Sequence, residues 1–254
     1  MALPAGLDAH AFVPVLAIFV FGGFIKGGLG FGLPLATISL LPLVIPVDMA
    51  LAINTIVQPI TNLGQLWGSG RGREAVARFW PMLPPLAVGV ALGALLVKSI
   101  PPDTLTLVLG IFIMVFCTLS VSGWVLPIKP TQERAAGIGT GFAAGIVGAL
   151  TAANGPVFVI YLMALKLDQA LFRATLGFLF VVSGALVAGG FASVGFLDWG
   201  RTLLALLCVP SALLGMWLGT RLARRLAAEA FRRAVLVGLF CLGANFSLRG
   251  LNVI

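Results

Sequence analysis

Thr104–Leu126, TLTLVLGIFIMVFCTLSVSGWVL, runs for 23 residues without a charge. A helix rises 1.5 Å per residue, so this stretch reaches about 35 Å and crosses the roughly 30 Å hydrocarbon core of a bilayer. Thr202–Thr220 offers a second uncharged run. Across all 254 residues, 60% are hydrophobic and 9% charged, with a mean hydropathy of +1.12. A soluble domain carries about a quarter charged residues, so the chain reads as an all-α polytopic membrane protein. The apolar stretch from Phe12 has no preceding basic residue and no small-residue cleavage site, which argues against a cleaved signal.

The net charge of +8 sits in short loops between apolar runs, the pattern of membrane topology rather than of nucleic-acid binding. Cys117, Cys208 and Cys241 lie inside apolar runs without metal-ligand spacing, and the single histidine, His10, lies near the terminus. No metal or other cofactor is expected. Paired intramembrane carboxylates, a Ser/His or Cys/His arrangement and a P-loop are all missing, so neither an enzyme nor an ATP-driven pump is indicated.

An internal repeat organises the chain. Gly23-Phe24-Ile25-Lys26-Gly27-Gly28-Leu29-Gly30 aligns with Gly141-Phe142-Ala143-Ala144-Gly145-Ile146-Val147-Gly148, and a proline follows each, at Pro34 and Pro156. Asp48, Ala50, Leu51 and Thr55 match Asp168, Ala170, Leu171 and Thr175 at the same internal spacing, and Gly89 and Gly93 match Gly215 and Gly219. Two membrane repeats result, 1–128 and 129–254, within one integral domain. In the first, Arg71, Arg73 and Arg78 follow the first full span, with Lys129 and Arg134 after the third. In the second, Arg221, Arg224, Arg225, Arg232 and Arg233 follow the second span, and the loop after the first has only Arg201. Because Lys and Arg collect on the cytoplasmic side, the halves are expected in inverted topology, with both termini periplasmic.

Each repeat opens with a front element broken by glycine and proline, Phe12 to Pro46 and Gly137 to Leu165, followed by three full transmembrane helices. The front element is either a re-entrant hairpin or a pair of tilted crossings. Ile138 to Leu150 would rise roughly 20 Å and Val157 to Leu165 return about 15 Å, which suits a hairpin reaching mid-membrane. The two tips, near Gly27 to Pro34 and Thr151 to Pro156, would then approach one another. Pro34 and Pro156 suit the first turn of a new helix, whose positive end attracts anions. The competing reading is that the glycines allow close helix packing and the prolines only kink.

Lys26 lies deep in an apolar run with no acidic residue nearby in sequence, so a bound anion, a distant carboxylate such as Asp168, or snorkelling must accommodate its charge. Asn54, Gln58, Asn62 and Gln65 follow at spacings of 4, 4 and 3, a polar stripe available for interhelical bonding or for a solute path, with Thr55 and Thr61 nearby. The equivalent helix carries Arg173, an anchor or a site residue, together with Thr175 and Ser183. Asn154 at the second tip could bind a solute or cap the next helix. Asp48 and Asp168, each beside a helix start, read as caps, with ion coupling as the alternative.

The Gly27–Pro34 run, the series Gly141, Gly145, Gly148 ending in Asn154-Gly155-Pro156 and Tyr161-Leu162, and Asp168 followed by Phe172-Arg173-Ala174-Thr175 resemble the TauE/SafE sulfite exporter family. The likeness covers nearly the whole chain. It implies a bacterial inner-membrane permease for a small sulfur-containing anion such as sulfite, a sulfonate or sulfoacetate, with the paired glycine-rich motifs forming the transport site. The expected site is therefore Lys26, Gly27, Gly30, Asn54, Gln58, Asn154, Gly155, Arg173 and Thr175. Its partners would be the anion, the lipid bilayer and a coupling ion, proton or sodium, with a homodimer also open. This chain has Gly28-Leu29-Gly30-Phe31-Gly32 where many relatives carry adjacent glycines, and Ala152-Ala153-Asn154-Gly155 in place of a more glycine-rich second tip. A secondary transporter working by alternating access is the leading expectation, against an anion channel or a non-transporting membrane scaffold.

Overall fold

The computed structural model describes residues 9–68, 70–122, 127–222 and 228–251. Asp8, Arg224 and Arg225 lie outside the described residues, and the side chains of Glu229 and Arg232 are likewise not described. The described residues form α1 (Ala9–Leu29), α2 (Leu33–Leu40), α3 (Val47–Gly68), α4 (Gly72–Phe79), α5 (Leu83–Ser99), α6 (Pro102–Ser122), α7 (Glu133–Thr151), α8 (Gly155–Ala164), α9 (Gln169–Ser193), α10 (Trp199–Leu222) and α11 (Ala228–Gly250), with no strand among them. A 3-10 turn at Trp80–Met82 joins α4 to α5 in one helical run. Among the described residues, five segments are long and apolar enough to cross a membrane: His10–Leu29, Gly72–Ser99, Pro102–Ser122, Gln169–Ser193 and Trp199–Leu222. The chain is an all-helical multi-pass membrane protein.

Both front elements break where the glycines and prolines stand. After α1, Gly30 (φ 84°) and Gly32 (φ 102°) adopt left-handed conformations that a side chain would strain, and Pro34 lies in the first turn of α2. After α7, Ala152 (φ 51°) makes the reversal, and Pro156 lies in the first turn of α8. The limbs are unequal. The 21 residues of α1 span about 31 Å, a full crossing by length, whereas the 8 residues of α2 and 10 of α8 rise only about 12–15 Å. The mid-depth hairpin therefore does not describe the first limb of either repeat: α7, with 19 residues, spans about 28 Å, and α1 runs beside α10 to Thr220, close to the end of that helix.

Most of the repeated glycines are packing surfaces. A Cβ on Gly23 or Gly27 would overlap the carbonyl oxygen of Ala212 or Met216, and one on Gly215 or Gly219 would overlap that of Val20 or Phe24. The same seam recurs in the other half, where a Cβ on Gly145 would strike the Leu86 carbonyl and one on Gly89 the Phe142 carbonyl. Small residues four apart on both partners let two backbones touch, the usual adhesive where lipid supplies no hydrophobic drive between helices. In each seam low numbers meet low and high meet high, so α1 runs parallel to α10, and α5 parallel to α7.

The remaining major contacts run the other way. Gly177 of α9 meets Leu66 of α3 and Gly184 meets Pro59, while Gly250 of α11 meets Leu107 of α6 and Gly243 meets Gly110. Thus α3 and α9 are antiparallel, as are α6 and α11. Pro59 has no N–H to give the Thr55 carbonyl, so α3 is weakened at mid-length, beside Gln58. Phe19, Phe79, Phe158, Phe191 and Phe246 are fully buried and fill the space between these helix pairs.

Candidate functional site

A cavity of about 680 Å³ opens between the C-terminal ends of α1, α3 and α10 and the start of α9. Lys26, Gly27, Gly28, Gly30 and Phe31 line it from the first tip, and Thr61, Gly64 and Gln65 from α3. Gln169, Phe172 and Arg173 line it from α9, and Met216 and Thr220 from α10. Its volume falls within the range of small-molecule pockets.

Lys26 is 97% buried, and its Nζ donates to Thr61 Oγ1 at 3.2 Å. No carboxylate among the described residues forms an ion pair with it. Of the three accommodations open to the sequence, Asp168 is excluded because it bonds Arg71, and snorkelling is excluded by the burial. The ammonium is left facing the cavity with one neutral hydrogen-bond partner. An unpaired cation at this depth is expensive, and a bound anion would relieve that cost. Gly30 faces the same space and needs its missing side chain for its positive φ, whereas Gly27 needs it for the α10 seam.

The second tip lies behind the cavity. Asn154 does not cap α8; its Oδ1 accepts from Gln58 Nε2 at 3.2 Å, with both side chains almost wholly buried. Gln58 and Thr61 are three residues apart on α3, so the two tips are bridged across about 4.5 Å of one helix. Farther along, Thr37 donates to Asn54 Oδ1 at 2.6 Å, and Asn54 Nδ2 donates to the Ala50 carbonyl at 3.1 Å.

The nine expected site residues therefore separate. Lys26, Gly27, Gly30 and Arg173 line the cavity. Gln58 and Asn154 do not line it; they bond one another one helical turn along α3 from the lining residue Thr61. Asn54 is engaged with Thr37, Gly155 packs against Phe180, and Thr175 is fully buried with no partner for its hydroxyl oxygen, none of the three lining the cavity. They fall away because a helical stripe records angular position only, whereas the cavity occupies one end of α3 and α9. Thr220, Met216 and Gln169 join the site unforeseen. The first two reach it only because α1 runs parallel to α10, an arrangement that no local spacing encodes.

Charges frame the mouth. Asp168 Oδ1 accepts from the Leu171 amide at 3.0 Å and the Ala170 amide at 3.1 Å, capping α9 as its sequence position suggests. The Leu171 amide first, then Arg71 and the Ala170 amide, hold its carboxyl below the usual range. Arg71 bonds Asp168 at 3.2 Å and Glu74 at 2.5 Å. Asp48, by contrast, caps nothing; its Oδ2 accepts from Arg201 at 2.6 Å at the opposite face.

A multi-pass helical bundle with a solute-sized cavity ending on a buried cation has the form of a membrane transport protein. The chain belongs to the family described as Sulfite exporter TauE/SafE, whose profile matches residues 15–246. It is 28% identical over 169 residues to "Probable inner membrane transporter protein TsaS" of Comamonas testosteroni, an alignment that covers 65% of this chain and 70% of that protein. No solved structure matches the chain. The family description names an exporter and the relative's name a membrane transporter.

Proposed function

We propose that this protein is a secondary transporter that carries a small sulfur-containing anion, such as sulfite, a sulfonate or sulfoacetate, across the bacterial inner membrane by alternating access. The observation that carries the reading is Lys26, a buried cation that lines an open cavity and has no carboxylate partner among the described residues. Its ammonium supplies the anion's counter-charge. Thr61 orients the ammonium, Gln65 and Thr220 offer polar contacts on the walls, and Arg173 draws anions to the mouth.

Inverted repeats at 1–128 and 129–254 support alternating access. Helices equivalent in sequence, α3 with α9 and α6 with α11, run antiparallel, and each first helix pairs with the other repeat's second full span. Arg71, Arg78, Lys129, Arg134, Arg173 and Arg221 nevertheless share one face, while Lys98, Arg201 and Arg249 lie at the other. That asymmetry supports a cytoplasmic mouth and periplasmic termini. A carrier is favoured over a channel because the lining belongs to one end of the helices and the Gln58–Asn154 bond stands behind it.

The test is uptake of labelled sulfite, sulfoacetate and sulfate into liposomes holding the purified protein, with and without pH and sodium gradients. Saturable uptake of a sulfur anion, accelerated by one gradient and lost in Lys26→Ala, is expected. Wild-type uptake in a folded Lys26→Ala would remove the proposed site. Failure of all three anions to enter would remove the substrate class.

A further inference from the structure

The cavity is one-sided, yet each face of the protein carries an ion-pair cluster built from equivalent parts. At the face opposite the mouth, Asp48 at the start of α3 bonds Arg201 at the start of α10. Arg201 also donates to the Phe196 carbonyl at 2.6 Å and lies 3.5 Å from Asp198, with its guanidinium over the Phe196 ring. At the mouth, Asp168 at the start of α9 bonds Arg71 at the start of α4, and Arg71 also holds Glu74. Asp48 and Asp168 are equivalent positions of the repeat, and Arg201 and Arg71 each open the segment that follows the first full span. Each cluster thus ties one repeat's α3 or α9 to the other repeat.

The two clusters are not in the same condition. The Asp48–Arg201 contact measures 2.6 Å with side chains 35% and 20% exposed, whereas Asp168–Arg71 measures 3.2 Å with 53% and 40% exposed. The tight, sheltered pair stands at the face with the smaller cavity, about 300 Å³ beside Asp48, and the loose, wet pair at the face with the cavity of about 680 Å³. Charge-assisted bonds strengthen as they shorten and lose water, while exposed pairs contribute little. Exchanging the conformations of two inverted repeats would exchange these two environments.

We infer that Asp48–Arg201 and Asp168–Arg71 are paired conformational latches, the first holding the present mouth-open state and the second tightening when the cavity opens to the other face. This rests on the alternating-access reading. It follows that weakening the two latches biases the protein in opposite directions, although both changes remove an arginine.

The test replaces Cys241, the exposed cysteine among the described residues, by serine and places a single reporter in the cavity wall as Thr220→Cys. The rate of labelling by a charged maleimide is then followed in detergent, where both faces are reachable. Arg201→Gln is expected to slow labelling about fivefold, the scale of one partly sheltered ion pair. Arg71→Gln is expected to label at or above the parental rate. Asp48→Asn, which leaves Arg201 its Phe196 and Asp198 contacts, should slow labelling in the same sense and serves if Arg201→Gln misfolds. The inference is overturned if the arginine variants slow labelling alike, or if Arg201→Gln and Asp48→Asn both label at the parental rate while folded. Labelling needs no solute, so the result stands apart from whether a sulfur anion is moved.

Discussion

Replacing Lys26 by methionine should make this protein more stable and useless at once. The side chains have similar length and flexibility, so packing changes little, and the ammonium is removed from a site where it has only Thr61 for company. A lysine at the centre of a membrane helix costs about 3 kcal/mol on insertion scales and less in the last turn, where Lys26 lies, and the bond lost to Thr61 contributes about 1 kcal/mol, leaving a gain of at most about 2 kcal/mol for Lys26→Met. Thermal unfolding in detergent, read by monodispersity or tryptophan emission, should shift upward by several degrees. Anion uptake in liposomes should fall to background, because the counter-charge is gone. A melting point below that of the parent would mean that Lys26 is a structural group satisfied by its surroundings, and full transport by the methionine variant would refute its role in binding. Stability gained where function is lost is the mark of a site built at a cost to the fold.

Gly219→Val should overlap the Phe24 carbonyl and open the α1–α10 seam at about 3 kcal/mol or more, seen as lost monodisperse protein; Gly145→Val should do the same against Leu86. Gly64→Leu is the opposite case, since nothing lies within 4 Å of its Cβ position and the residue lines the cavity. Its melting point should stay within an equivalent of about 0.5 kcal/mol of the parent while uptake drops sharply. Asp168 contributes a pH-dependent element: its carboxyl is held below the unfolded range, so the stabilisation is present above about pH 4 and is lost as pH falls through the folded value. Melting curves of the parent should steepen their decline below that pH, and Asp168→Asn should flatten the decline.

Composition and charge patterning made the membrane architecture readable, because hydrocarbon imposes one length scale on every span. The breaks were readable from Gly30, Gly32, Pro34 and Pro156, since few residue types suit those positions, whereas the left-handed Ala152 carries no such signal. Lys26 stood out as a charge in an apolar run. The seam glycines were visible as repeats, but whether they face a solute or a neighbouring helix depends on what lies opposite them; for Gly23, Gly141 and Gly145 the answer is a helix, and Gly27 meets both α10 and the cavity. Asn54 and Thr175 share a helical face or a repeat position with site residues but not their depth, and depth is set by how α3 and α9 cross. Asp48 resembles Asp168 in sequence but does not cap, because α3 already begins at Val47 and places Asp48 inside the first turn, whereas Asp168 is itself the N-cap of α9.

The two glycine seams also bear on how the molecule is made. A ribosome feeding this chain into the membrane releases α1 first, yet the partner that buries its glycine edge, α10, begins at Trp199. Through most of synthesis that edge has only lipid or insertion machinery beside it, and α5 similarly waits for α7. Neither repeat can complete its own packing, so assembly is deferred until the later half arrives and two pre-inserted bundles interlock. A chain truncated before α10 should therefore be a target for membrane quality control rather than a stable half-protein, and the separately expressed halves should survive only when produced together.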